Sequence, residues 1–307
     1  MIRAPGIYPT AVARKDLRLR MRGWRWAGVT TVYVSILGVI AVGFLLQKYN
    51  PTPGQSSQAG AQLFQALSIF QLLLIVFVVP ASMAGAISGE RQHRTWDLLL
   101  ISRLSALDIV WGKLLAGFAF NLLLIVASLP LYSLVLLFGG VTFGDAIHTF
   151  VVFLATVLLL GVLSLMISAW TARLTVSYMA GMLAALTLTA GLSLLTLYVL
   201  APGRPSVLGL GSIPFQSSNP PTSLTPLAQI DPLVALLSAL PDGAGGTLLD
   251  GLGTVQHAFG LPWQAPLWGI YTLLAVLISL ILLPITVARV RRTDGSRAAG
   301  TNRRGAR

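Results

Sequence analysis

Glu90, Arg91, His93, Arg94, Asp97, Arg103, Asp108 and Lys113 crowd into one stretch, GERQHRTWDLLLISRLSALDIVWGKLLA, from Gly89 to Ala116. Elsewhere the chain is poor in charge, and this stretch lies between two long apolar runs. Carboxylates, guanidinium groups and an imidazole side by side could move protons, hold a metal or bind another protein. The first two readings fail on spacing. His93, His148 and His257 are isolated from one another in the sequence, and there is no HExxH pair to place two imidazoles on one helix face. Cysteine is absent, which removes thiol chemistry, disulfides and zinc-thiolate sites. No GxxxxGK(S/T) loop is present; Gly112-Lys113 is followed by Leu114 and cannot cradle a nucleotide in that way. Docking is another use of such a stretch. Thr95, Trp96, Leu99 and Leu100 fall near one helix face, and Arg91, Arg94 and Asp97 mostly toward another. A helix with both signs of charge on its polar face suits a groove on a partner. It also suits a lipid surface, and periodicity does not separate the two. Ser105, with Asp108 three residues on, reads as the capping box of the next helix.

The elements that must position this stretch are membrane spans. Of 307 residues, 55% are hydrophobic and only 10% charged, with a mean hydropathy of +0.80. A soluble domain is about a quarter charged. The apolar residues come in runs of about 20, the length a helix needs to cross an oily slab roughly 30 Å thick. Six spans are predicted: Trp26–Leu46, Leu63–Ile87, Ile109–Phe138, Ala146–Trp170, Val176–Leu200 and Leu267–Ala288. Pro130 and Pro284 are candidate bends. The fold class is therefore all-α and polytopic, with residues 1–288 forming one transmembrane domain.

Charge sets the orientation. All of the 21 Lys and Arg residues except Lys48 and Arg204 fall on one side: in the N-terminal lead, the loop after the second span, the loop after the fourth, and the tail. Cytoplasmic loops collect Lys and Arg, so both termini are expected to be cytoplasmic. The net charge of +12 is then explained by topology and anionic headgroups, not by nucleic acid. The basic lead, residues 1–25, contains an imperfectly amphipathic segment from Thr10 to Arg25 that suits the membrane interface. It reads as leading into a retained span, since no A-x-A cleavage site closes the apolar run.

Residues 88–108 form a cytosolic loop and 201–266 a large outer loop. The first half of the outer loop is rich in Pro, Ser and Gly. Its second half holds two apolar pieces, Pro226–Leu240 and Thr247–Leu261, each too short to cross a bilayer and suited to interfacial or re-entrant helices. The Arg-, Gly- and Ser-rich tail, 289–307, is expected to be disordered. No carboxylate falls at the centre of any span, where proton- or sodium-coupled carriers usually need one. Gln65, Gln71, Asn121, Ser128, Ser164, Thr187, Thr189, Ser193 and Thr196 are suited to hydrogen bonds between helices. Gly181 and Ala185 suit close packing.

The stretch from Gly89 to Ala116 resembles the signature of ABC transporter permeases of the type 2 exporter class. The matching residues are Gly89-Glu90-Arg91, Thr95, Leu98-Leu99-Leu100, Leu104-Ser105, Ile109-Val110 and Gly112-Lys113-Leu114. Family members often carry Pro before the Leu-Ser, where this chain has Arg103. The six spans, the basic lead and the long loop before the last span are similar to the family layout, and KDLRLRMRGWRW resembles its start. The resemblance implies a cytosolic coupling helix around residues 91–101, seated in a cleft of a separate ABC ATPase subunit. Gly89, Glu90, Arg91, Arg94, Thr95, Asp97 and Leu98 would form that interface, with Glu90 and Arg91 anchoring the helix start. Both would lie outside the lipid core, so charge reversal there is expected to uncouple transport without unfolding the bundle. The chain would bind no cofactor itself; ATP and Mg would sit on the partner ATPase, so the chain is not an enzyme. It would pair with a second permease, either a second copy or a related chain, in the inner or plasma membrane. A stand-alone secondary carrier and a membrane scaffold or assembly protein are the alternatives.

Overall fold

The computed structural model describes residues 14, 16–17, 24–47, 56–92, 105–200, 229–241 and 266–304. Helices are the only regular structure among them. They are α1 (Trp24–Gln47), α2 (Ser56–Met83), α3 (Ser88–Gln92), α4 (Ala106–Phe138), α5 (Phe143–Trp170), α6 (Leu174–Leu186), a π-helical turn (Thr187–Gly191), α7 (Leu192–Leu200), α8 (Pro232–Ala239) and α9 (Leu267–Arg304). Six helical stretches are long and apolar enough to cross a membrane, with α6, the π-turn and the start of α7 acting as one. They coincide with the six apolar runs in the sequence. Their apolar residues run all the way round, as expected of helices with protein on one side and hydrocarbon on the other.

Contacts at the two ends show that the spans alternate in direction. At one end α2 starts where α4 stops: a Cβ on Gly60 would collide with the Gly139 carbonyl. Gly139 and Gly140 both have φ near 80°, a conformation other residues rarely adopt, and this tight corner joins α4 to α5. There the Thr142 hydroxyl accepts from the Asp145 amide, and the Asp145 carboxylate accepts from the Thr142 amide, capping α5. His148 of α5 stacks on Trp268 of α9 at the same end. At the other end Arg289 of α9 lies over Trp170, the last residue of α5.

Helix α5 is the axis of the bundle and packs against α2, α4, α6, α8 and α9. Its Val152, Phe153, Leu160 and Leu165 are essentially inaccessible, and Phe64, Tyr132 and Phe150 interlock edge to face beside it. Helix α1 is peripheral, resting on α2 and α4 with Val32, Val39 and Leu46 facing outward. Some of the polar span residues bridge helices as expected, Gln71 donating to Ser128 and Asn121 to Ser82; Thr187, Thr189 and Thr196 instead donate to carbonyls one turn back in their own helical stretch.

The helices run unbroken through Pro130 and Pro284, a lost donor being tolerated inside a packed bundle. Residues 289–304, expected to be disordered, continue α9. Extending an existing helix needs no new nucleus, and the segment is rich in the good helix formers Arg and Ala. The apolar piece Pro226–Leu240, expected to be an interfacial or re-entrant helix, contains α8, which is buried against α2, α5 and α9. The second piece, Thr247–Leu261, lies outside the described residues.

Candidate functional site

The signature stretch begins where α2 comes apart. Beyond Met83 the chain makes a turn, Ala84–Ile87, before α3 re-forms over Ser88–Gln92. Such a break frees backbone donors and acceptors that must find partners when buried. Hydroxyls supply them. Ser168, near the end of α5, accepts from the amides of Ile87 and Ser88 at 3.0 Å each and donates to the Ser88 hydroxyl. The Ala84 carbonyl accepts from the hydroxyls of Ser88 and Ser177. Small residues make the close approach possible. A Cβ on Gly85 would collide with the Tyr178 hydroxyl, and one on Gly181 would lie 2.9 Å from that of Ala84. The sequence pair Gly181 and Ala185 does therefore mark close packing, with Ala185 buried. Just below the turn, Met83 wedges into notches left by Gly117 of α4 and Gly161 of α5.

Charge locks the same corner. Lys113, in the second turn of α4, is only 3% exposed, and its ammonium lies 2.7 Å from Glu90 Oε1 and 3.7 Å from Asp16 Oδ2. A buried ammonium requires such a partner, because losing water without one costs several kcal/mol. Arg91 Nη1 donates to the Ala169 carbonyl at 2.8 Å, at the C-terminal end of α5, where helix carbonyls lack intrahelical donors. Gln92 Oε1 accepts from the Leu174 amide at 3.0 Å, satisfying one of the first free donors of α6. Across the gap to α4, Ser105 and Asp108 form the capping box read from the sequence, with the Asp108 amide donating to Ser105 Oγ at 3.1 Å.

Of the residues assigned to the coupling interface, Gly89, Glu90 and Arg91 are thus gathered at one corner. Arg94, Thr95, Asp97 and Leu98, with most of the segment expected to be the coupling helix, lie outside the described residues. One premise is corrected. Glu90 does not stand clear of the bundle; it is the partner of a buried lysine, so reversing its charge would confront Lys113 with a second cation. Sequence reading missed Ser168, Gln92 and the burial of Lys113. The last had a signal: a lone lysine flanked by Val110 and Leu114 at the start of a span needs an acid within reach.

At the opposite end the structure brings in a carboxylate that span-by-span reading does not see. Asp231 is buried; it caps α8 through the Leu233 amide at 2.9 Å and accepts from the Ser193 hydroxyl of α7 at 2.9 Å. Burial pushes its carboxyl above the usual carboxylate range, and the bonds from Leu233 and Ser193 pull it partly back. Gln229, equally buried, stands two residues before it. Tyr271 and Thr156 share a hydrogen bond at 2.8 Å between α9 and α5. The Asp231-Pro232 pair is a readable helix start, with a capping residue followed by proline in the first turn.

At the basic corner the carboxylates of Glu90 and Asp16 face an ammonium. Among the described residues, no group of three His, Cys, Asp or Glu side chains could hold a metal. The corner ties Asp16, α2, α3, α4, α5 and α6 together. Neither a family model nor a curated protein matches this chain.

Proposed function

We propose that this chain is the membrane-spanning permease subunit of an ATP-driven exporter of the ABC type 2 class, working with a separate ABC ATPase and a second permease. The observation that carries this reading is the anchoring of Gly89-Glu90-Arg91, the start of the resemblance, into the junction of α2, α4, α5 and α6. A docked helix that must convert ATP-driven closure of a partner into tilting of spans needs such a stiff root. Both termini and this corner face the cytoplasm of a cell inner or plasma membrane, in accord with the arginine distribution. ATP binding favours one bundle arrangement only through contacts that differ between the two states, and the residues from Arg94 to Leu98 would make those contacts on the ATPase.

The absence of cysteine makes a direct test clean. Thr95→Cys, paired with a single cysteine in the cleft of the co-expressed ATPase, should crosslink in membranes and respond to ATP. A cysteine placed at the opposite end, Leu137→Cys, should not. Equal crosslinking at both positions, or none at Thr95, contradicts the assignment.

A second reading has one observation in its favour. Asp231 gives the bundle a buried carboxylate of the kind a proton-coupled carrier uses. It sits near one end of the spans, beside the fourth residue after α9 begins and close to the end of the fifth span, where mid-depth would be expected for alternating access. Uptake or release driven by a proton gradient with no ATPase present would favour that reading.

A further inference from the structure

Between α4 and α9, at the arginine-rich end, lies a cavity of about 690 Å³ whose walls include Leu107, Trp111, Leu280, Pro284, Val287 and Arg291. We propose that it is a binding site for one phospholipid with an anionic headgroup, held with its acyl chain against α9 and its phosphate at Arg291. This does not rest on the transport reading, only on the bundle lying in a membrane.

Three features select this occupant. The first is shape: the volume falls within the range of about 300–1,000 Å³ typical of small-molecule sites, and Leu107, Trp111 and Leu280 remain exposed along it, so it opens sideways between two spans. The second is length. From Leu280 to Arg291 the helix advances about 16 Å at 1.5 Å per residue. That is close to half of a hydrocarbon slab roughly 30 Å thick, the reach of a chain from a single leaflet. The third is charge. The lining is apolar apart from one end, and that end carries Arg291, two residues beyond Arg289 at the same end of α9. The acid nearest in sequence to the lining, Asp108, is committed to its capping box with Ser105. An apolar slot one leaflet long with a guanidinium at its headgroup end matches an anionic amphiphile. A neutral helix from a partner would leave the guanidinium without a counter-charge. Trp111 sits toward the same end, where an indole favours the interface.

The test is native mass spectrometry of the full chain, extracted in mild detergent and exchanged into equal amounts of phosphatidylglycerol and phosphatidylcholine. Wild type should retain one lipid, with phosphatidylglycerol favoured roughly fivefold, the contribution of one cation near an anionic headgroup. Arg291→Gln should keep a lipid but lose the preference. Ala288→Trp, at an exposed position in the lining, should fill the slot and lose the retained lipid while leaving the thermal unfolding midpoint unchanged. Retention that is the same in wild type and Ala288→Trp overturns the proposal. So does a preference that survives Arg291→Gln, displacement of the lipid by inorganic phosphate alone, or dissociation of an oligomer by Ala288→Trp with lipid retention unaltered.

Discussion

At the arginine-rich end the bundle is closed by charge: Lys113 reaches Glu90 and Asp16, Arg91 reaches Ala169, and hydroxyls take up the backbone groups of a broken helix. At the opposite end a short helix, α8, is pressed into the bundle by Val234, Ala235, Leu236 and Ala239, with one carboxylate at its tip. Charged contacts are directional and depend on placement, so the first end is a joint between particular helices. Apolar burial is non-directional and scales with area, so the second behaves as a plug. The proposed permease, driven from one side, would use this asymmetry, with the force entering where contacts are specific.

Substitutions can break that contrast. The largest effect is expected for Glu90→Lys, which leaves Lys113 buried beside a like charge. Breaking a buried pair costs about 3–5 kcal/mol, and Glu90's partial exposure places the cost toward the lower figure. Thermal unfolding in detergent should show it, and Glu90→Gln combined with Lys113→Met should recover most of the loss. Leu236→Ala, at the plug, is expected to cost about 3 kcal/mol through lost burial and an unfilled cavity. Unlike Glu90→Lys, no change of charge elsewhere should rescue it.

Asp231→Asn separates the ends by pH. Burial raises the Asp231 carboxyl, so the folded chain holds this proton more tightly than the unfolded chain. The stability this contributes is present at acid pH and is lost as pH rises through the raised value. Asparagine cannot titrate, so the variant should lose that slope in unfolding midpoints taken between about pH 4 and pH 8. The smallest effect is expected for Asp16→Asn. Its 3.7 Å contact with Lys113 is long and its side chain partly exposed, so the loss should stay below about 1 kcal/mol. A loss as large as that of Glu90→Lys would mean that the lead, not α3, holds Lys113.

Much of this architecture is legible in the sequence because hydrocarbon imposes a length on each run. The capping box at Ser105 and Asp108 is legible because its partners are three residues apart. The joint itself is not. Ser168 meets Ile87 across 81 positions, and Lys113 meets Glu90 only once α2 and α4 lie side by side. The plug is half legible: the length of Pro226–Leu240 excludes a span, and Asp231-Pro232 marks a helix start, but its burial depends on helices distant in sequence. The continuation of α9 to Arg304 is hidden by composition, since arginine-rich sequence suits both a solvated coil and an extended helix.

We propose that the corner at Glu90 and Arg91 roots a contact with an ATP-hydrolysing subunit. The most direct measurement is to tag the C-terminus, extract the chain gently from its native membrane after mild crosslinking, and identify what travels with it. An ABC ATPase at about one copy per chain is the expected result. A preparation that retains its fold and carries no ATPase would contradict the claim.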